Sequence, residues 1–138
     1  RLETHYQRLD RLGLNYRRET SVKIGAWTPE KISDDDATKL DWDVTKQVQS
    51  AGDARISFNY TKGAHGLRMD WVALLEDGKE VARDTHDGFT GHHPSKPIYT
   101  VNLPKFKAGA RYTIRAQLAG KGGNDSHGDV SLDFTPAK

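Results

Sequence analysis

The stretch from Ala54 to Asp84 carries the pattern that most limits what this chain can fold into, an alternation of apolar and polar residues. In its first run, Ile56, Phe58 and Tyr60 alternate with polar side chains. A period of two is typical of a strand with one face in a core and the other in water. The pattern therefore predicts β-structure here.

A second run extends from Leu67 to Glu76, and five of its side chains are predicted to share one face. These are Leu67, Met69, Trp71, Ala73 and Leu75. Because Val72 and Leu74 make the other face apolar too, this strand is expected to be central. Asp77-Gly78 suits a type I′ hairpin turn, whose two central residues need positive φ. The charged run from Lys79 to Asp84 is expected near an edge, which completes a three-stranded antiparallel meander.

Five further runs with strand-like patterns are separated by glycine- and proline-containing turns. They cover residues 19–27, 40–44, 98–103, 110–120 and 129–135. Two of their apolar rows are predicted to face inward, namely Tyr99, Val101 and Leu103 in the third run and Tyr112, Ile114, Ala116 and Leu118 in the fourth. About eight short strands of this kind predict an all-β fold, an antiparallel β-sandwich of the jelly-roll type.

Residues 1–18 differ from the rest because their apolar residues recur at helical spacing. The stripe consists of Leu2, Tyr6, Leu9 and Leu12, and Gly13 stands where a helix C-cap belongs. We therefore predict one short α-helix ahead of the sandwich. Since so short a helix is marginal alone in water, its stripe is expected to lie against a partner.

Composition restricts the possible functions. The net charge is +2 and the basic residues are dispersed along the 138 residues, so a nucleic-acid partner gains little support. No apolar run approaches the ~20 residues of a membrane span. Cysteine is absent, which removes disulfides and thiol chemistry without deciding the compartment. Because the only methionine is Met69, we expect the chain to be a fragment of a longer protein.

The longest irregular stretch is predicted at residues 85–97, where Pro94 and Pro97 oppose strand pairing. Phe89 is its candidate for an exposed ring, and His92 and His93 stand beside it. The six histidines show no metal-ligand spacing, so solvated loop residues are the simpler interpretation. Any metal site is expected near His92-His93 or at residues 125–127.

A glycine-rich loop near the C-terminus offers hard oxygen ligands that could suit a structural calcium ion. They are Asn124, Asp125, Ser126 and Asp129, although a tight turn held by side-chain hydrogen bonds is the simpler interpretation. Among the tryptophans, Trp42 and Trp71 are assigned to the core by their strand patterns. Trp27 falls on the Lys23 face of its strand, where exposure is more expected.

Two parts of the chain resemble one family of enzymes. RLDRLGLNYRR (residues 8–18) is similar to the last helix and exit segment of the catalytic barrel in family 20 glycoside hydrolases, the β-N-acetylhexosaminidases. YTKGAHGL (60–67), residues 72–91 and GGNDSHGDV (122–130) resemble a C-terminal β-sandwich module of some bacterial glycosidases. WDVTKQV (42–48) is similar to the entry of galactose-binding-like jelly rolls.

The resemblance implies that residues 1–18 are the terminal helix and linker of a preceding catalytic barrel, and that residues 19–138 are a non-catalytic module. The parent would be secreted or periplasmic, and its catalytic Asp-Glu pair would precede residue 1. As a structural partner, the module would dock on the barrel through the Leu2, Tyr6, Leu9 and Leu12 stripe.

The alternative is a carbohydrate-binding module that holds glycans on its loops. Its candidate residues are His65, Phe89, His92, His93 and Asp125. An independent enzyme is a third class, but no two carboxylates can be placed at a catalytic separation from the sequence.

Overall fold

Two four-stranded antiparallel sheets make up the described part of the chain, as the alternating pattern predicted. A computed structural model describes residues 21–34 and 36–137. Its elements in chain order are β1 (Val22–Trp27), a 3-10 turn (Pro29–Lys31), β2 (Thr38–Asp43), β3 (Gly52–Lys62), β4 (Gly66–Glu76), β5 (Lys79–Thr90), β6 (Ile98–Leu103), β7 (Tyr112–Lys121) and β8 (His127–Pro136).

The strands are distributed so that successive strands mostly change sheet. Sheet A has the order β1-β8-β3-β6 and sheet B the order β2-β7-β4-β5. Among the strands of the described residues, only β4 and β5 are consecutive strands within one sheet. Their turn, Asp77-Gly78, has φ values of 49° and 84°, as the type I′ prediction requires. The order also confirms that β5 lies at an edge.

The predicted three-stranded meander is wrong in one of its two pairings. β3 and β4 do not pair, since β3 lies between β8 and β6 in sheet A while β4 lies between β7 and β5 in sheet B. The β3–β4 turn therefore carries the chain from one sheet to the other. Local alternation predicted both strands, but strands distant in sequence occupy both sides of β3.

Phe58 lies at the centre of an aromatic cluster in the core between the sheets. Its ring centroid is 6.2 Å from that of Trp27, 6.4 Å from that of Trp42 and 5.9 Å from that of Tyr99. The predicted inward rows of β6 and β7 are buried, including Val101 and Ile114. Burying each such side chain stabilises the fold by about 1.5–3 kcal/mol.

A β-bulge in β4 overturns the predicted single face of that strand. The pairing register shifts between Met69 and Trp71 against both neighbouring strands. The extra residue reverses the alternation, because each residue of a strand faces opposite to the next. Leu67 and Met69 thus share the core with Val72 and Leu74, while Trp71 is only half-buried and projects from the other face of sheet B.

Another irregularity, in β1, reverses the expectation for Trp27. The register shifts between Lys23 and Gly25. Trp27 consequently points into the core and is 0% exposed, while Val22, at the start of this edge strand, is 43% exposed. The sequence pattern predicted this strand but not the extra residue that shifts its register.

The irregular stretch predicted at residues 85–97 is shorter than expected. β5 continues to Thr90, with Gly88 opposite Met69 and Thr90 opposite Leu67. Only residues 91–97 remain between β5 and β6, and Pro94 and Pro97 both fall there. The prolines therefore opposed strand pairing within residues 91–97, where they lie, and not in the preceding residues 85–90.

The predicted N-terminal helix lies outside the described residues, together with its stripe of Leu2, Tyr6, Leu9 and Leu12. Within residues 21–34 and 36–137, no helix has the length and apolar character needed to cross a membrane.

Candidate functional site

Most of the predicted glycan-binding residues lie at one end of the sandwich, where the β3–β4 turn meets the loop before β8. Asp125 joins these two segments. Its carboxylate accepts hydrogen bonds from the backbone N–H groups of Ala64 (3.1 Å) and His65 (3.0 Å), and it lies 3.2 Å from His65 Nδ1. The structure therefore brings His65 and Asp125 together across 60 residues of sequence.

Gly63 allows this close junction. Its φ of 131° is a conformation that other residues rarely adopt, and a Cβ at this position would lie 2.6 Å from the carbonyl oxygen of Asp125. The hydroxyl of Tyr60 donates a hydrogen bond to the Gly63 carbonyl. The turn is thus held by Asp125 from the loop before β8 and by Tyr60 from β3.

The junction has a defined pH dependence. Partial burial raises the pKa of Asp125, but the hydrogen bonds from Ala64 and His65 outweigh it and hold the pKa below its ordinary value of 3.8. Because the folded-state pKa is lowered, the stabilisation is complete above the ordinary pKa and is lost as the pH falls through the folded-state value. We expect the Ala64 and His65 amides, followed by NMR, to lose their hydrogen-bonded shifts only below about pH 4.

At neutral pH, Asp125→Ala should move the Ala64 and His65 amide signals to the shifts of amides without a hydrogen bond. The core strands should remain protected from hydrogen exchange. Asp133→Ala, in strand β8 opposite Arg55 and distant from the turn, is the control. Unchanged Ala64 and His65 amides in Asp125→Ala would contradict the assigned junction.

Phe89, His92 and His93 lie nearby but do not form one binding surface. Phe89 belongs to β5 and is half-buried, with its ring against the backbones of Gly66 and Gly91, so it is not the exposed loop ring that was predicted. The exposed ring of His92 meets the ring of Tyr60 edge-on, with centroids 5.4 Å apart. His93 is exposed in the 91–97 segment.

The predicted calcium ligands have separate roles. Ser126 is fully buried and accepts a hydrogen bond from the indole N–H of Trp27 at 3.0 Å. Asp129 lies 3.2 Å from Lys23 Nζ in the neighbouring strand, and Asn124 is exposed in the loop. Within the described ranges, no group of three or more His, Cys, Asp or Glu side chains could hold a metal ion.

A cluster that sequence reasoning missed connects the edges of the two sheets. His86 Nδ1 lies 3.0 Å from Asp84 Oδ1, and His86 Nε2 lies 3.0 Å from the carbonyl oxygen of Lys96. Asp84 also accepts the Thr100 backbone N–H at 2.9 Å. The His86 ring stacks on Tyr99 at 3.8 Å. These contacts fasten β5 of sheet B to β6 of sheet A, and nothing in the local pattern around His86 indicated them.

An open pocket of about 590 Å³ lies near the β4–β5 turn. Its polar lining includes Asp43, Thr45, Asp77 and Arg111. Hydrogen bonds from the Thr45 backbone N–H and hydroxyl lower the pKa of Asp43, and the Arg111 backbone N–H and Lys107 lower that of Asp77. Both carboxyls are therefore ionised acceptors at neutral pH.

The outer face of sheet B, turned away from the core, carries the second feature that the sequence did not reveal. Trp71, Ala73 and Leu75 form its apolar strip on β4. Ala73 and Leu75 are buried although they do not belong to the core cluster. Arg83 and Arg115 are the cross-strand partners of Ala73 on either side. In the sequence, residues 72–75 are all apolar, and this run indicated that both faces of the strand are covered.

Two arginines on this face form ion pairs with carboxylates, and Lys39 Nζ lies 6.0 Å from the centre of the Trp71 ring. Arg115 binds Asp41 through two hydrogen bonds of 2.7 and 2.9 Å. Arg83 binds Glu80 through two of 3.1 and 2.7 Å. The Arg83 guanidinium also stands 4.0 Å from the centre of the Trp71 ring. In the Asp41–Arg115 pair, the hydrogen-bonded arginine lowers the pKa of Asp41 and the carboxylate raises the pKa of Arg115, so both groups stay charged.

No protein-family model matches this chain, and a search of curated proteins likewise finds no match.

Proposed function

We propose that the chain is the non-catalytic C-terminal β-sandwich module of a bacterial β-N-acetylhexosaminidase, and that it serves as a structural partner of the catalytic barrel. One observation supports this proposal above the others. The barrel-exit motif at residues 8–18 is followed directly by a two-sheet unit whose first strand begins at Val22. A barrel end joined to a sandwich is the arrangement that the sequence resemblance implies.

The sandwich would be a jelly roll. In that topology two four-stranded sheets are built from alternating strands, and the chain connects them by Greek-key crossings. The orders β1-β8-β3-β6 and β2-β7-β4-β5 support this assignment, since the first and last strands are neighbours and so are β2 and β7.

In the parent enzyme, the Leu2, Tyr6, Leu9 and Leu12 stripe would pack on the barrel and hold the module in place. Hydrolysis in this family is substrate-assisted, with the acetamido group attacking the anomeric carbon. The catalytic pair would precede residue 1, so the module contributes stability and orientation. A secreted or periplasmic location belongs to the same proposal.

Docking is tested with Leu9→Asp in the parent enzyme. We expect the module and the barrel to unfold in two separate transitions, because a charge on the stripe opposes burial of that face. Differential scanning calorimetry measures this uncoupling. Arg8→Asp, next to the stripe, is the matched control and should leave a single transition. If Leu9→Asp unfolds as the wild type does, the stripe is not a docking surface.

Glycan binding through the loops is the second candidate function. It is supported by the proximity of His65 to Asp125 and of His92 to Tyr60 at the same end of the sandwich. A glycan array of the 138-residue chain, with and without calcium, tests it. Binding to N-acetylhexosamine- or galactose-terminated glycans that His65→Ala abolishes would assign the loops this role, and a blank array would remove it.

A further inference from the structure

A groove with an apolar wall lies at the end of the sandwich where β1 begins. Its volume is about 410 Å³, and its apolar wall consists of Val22, Leu132, Phe134 and Pro136. We propose that this groove binds the segment of the same chain that precedes β1, with Leu14 and Tyr16 as the side chains that fill it. The inference goes beyond docking to a barrel, since it concerns a surface of the sandwich itself.

The register of β1 against β8 explains why the groove is open. Val22 is the first residue of β1 and lies opposite Leu132, whereas β8 continues to Pro136. Residues 133–136 of β8 pair with β3 on their other side. The apolar row of Leu132, Phe134 and Pro136 therefore extends past the beginning of β1. Val22, at the margin of this row, is 43% exposed although it is a large apolar residue.

The rest of the lining is polar and belongs to the connector between β2 and β3. It consists of Lys46, Gln47, Gln49 and Ser50. The Gln49 side chain donates a hydrogen bond to the Lys46 carbonyl at 2.8 Å, and the Ser50 hydroxyl donates one to the Ala51 carbonyl at 2.9 Å. A side chain with an apolar ring and a polar tip suits this groove, because the ring meets apolar side chains while the tip reaches polar ones.

The chain itself brings such a side chain to the groove. The segment that precedes β1 joins it through Ser21, the neighbour of Val22. Tyr16 stands six positions before Val22, a distance that an extended chain spans with about 20 Å. The wall from Leu132 to Pro136 is about 13 Å long at the rise of a β-strand. Tyr16 is therefore within reach of every part of the wall.

The sequence of this segment favours two of its residues as the occupants. Gly13 is predicted to end the N-terminal helix, so the residues after it would approach β1 as extended chain. Leu14 and Tyr16 are the apolar residues within 13–20, and they would face the same side of an extended chain. Neither belongs to the stripe that would dock on the barrel, so both contacts are compatible in one molecule.

The size of the groove favours a tethered segment over a separate protein. Stable complexes of two proteins bury about 1,200–2,000 Å² in total. One aromatic side chain buries about 150–250 Å², and the groove has four apolar side chains in its wall. A segment joined to β1 loses less translational and rotational freedom on binding, so a small contact suffices to hold it.

Nuclear Overhauser effects within the 138-residue chain test the proposal. We expect contacts from the Tyr16 ring protons to the Val22 methyl groups and the Phe134 ring. Tyr16→Ser should abolish these contacts and shift the Val22 methyl signals, because the ring current of Tyr16 is lost. Tyr6→Ser, the same change within the stripe, is the matched control and should leave the Val22 signals in place.

Trypsin provides a second measurement in the same chain, because Arg17 and Arg18 directly follow Tyr16. A bound segment must leave the groove before it is cleaved, so the rate of cleavage follows the population of the open form. We expect Tyr16→Ser to accelerate cleavage after Arg17 and Arg18 several-fold. Cleavage after Arg8, which lies before the segment, should keep its rate.

Three results would each overturn the proposal. They are the absence of contacts between the Tyr16 ring and the groove in the wild type, unchanged cleavage in Tyr16→Ser, and a shift of the Val22 methyl signals in Tyr6→Ser as large as that in Tyr16→Ser. The last result would assign the groove to the stripe instead. All these measurements use the chain without a barrel, and docking to the barrel is tested separately by Leu9→Asp in the parent enzyme.

Discussion

Trp27→Ala is expected to lower the free energy of unfolding by about 3–5 kcal/mol, the range for truncating a buried large aromatic side chain. Trp27 is 0% exposed, and its centroid lies 6.2 Å from that of Phe58. Its indole N–H is also the partner of the buried Ser126 hydroxyl. The substitution therefore leaves both a cavity and an unsatisfied polar group. Urea denaturation followed by circular dichroism measures the change.

Trp27→Phe is the matched comparison, because it keeps a ring in the core but removes the indole N–H. We expect a smaller loss, of about 1–3 kcal/mol. Gly128→Ala examines the same contact from the other side, since a Cβ there would lie 2.1 Å from the Trp27 ring and 2.5 Å from the Asn59 carbonyl oxygen. A loss below about 1 kcal/mol for Trp27→Ala would contradict the assigned burial.

Tyr99→Ala is expected to cost a similar amount, about 3–5 kcal/mol, because Tyr99 joins the two sheets. It belongs to β6 of sheet A and is 0% exposed. Its hydroxyl lies 3.1 Å from the carbonyl oxygen of Met69 and 2.6 Å from that of His86, both in sheet B. Burial, with the nearby carboxylates of Asp84, Asp70 and Asp87, raises the pKa of Tyr99, so the hydroxyl remains a donor at alkaline pH.

Tyr99→Phe separates the contribution of the ring to stability from that of the hydroxyl. It retains the edge-to-face contact with Phe58 at 5.9 Å and the stacking with His86, but removes the hydroxyl beside the carbonyl oxygens of Met69 and His86. We expect a loss of about 1–3 kcal/mol by the same denaturation measurement. Equal losses for Tyr99→Ala and Tyr99→Phe would mean that the ring itself contributes nothing, contrary to its position in the aromatic cluster.

The strand pattern predicted the elements well wherever the alternation ran without interruption. In β7 the row of Tyr112, Ile114, Ala116 and Leu118 is buried as predicted, and the Asp77-Gly78 turn has the expected positive φ values. The predictions failed at Trp71 and Trp27, which both follow a shift in register. A bulge inserts one residue and reverses the facing of the residues that follow, and the alternation of apolar and polar residues does not mark the insertion.

The candidate sites were predictable only in part. The pairing of His65 with Asp125 uses residues that the sequence had already singled out, although their proximity depends on a turn and a loop that are distant along the chain. His86 was assigned to a solvated loop, whereas it binds Asp84 and stacks on Tyr99. The Trp71 surface was missed because its ring was assigned to the core.

By itself, the sequence determined that residues 21–34 and 36–137 form an all-β unit, which residues form most of its strands and where the β4–β5 hairpin turns. These properties follow from backbone preferences and from the period of two, which act between residues close along the chain. Only the tertiary structure decided that β3 and β4 lie in different sheets and that Trp27 is buried while Trp71 is not. These outcomes depend on which distant strand occupies each neighbouring position, and a local pattern carries no information about that choice.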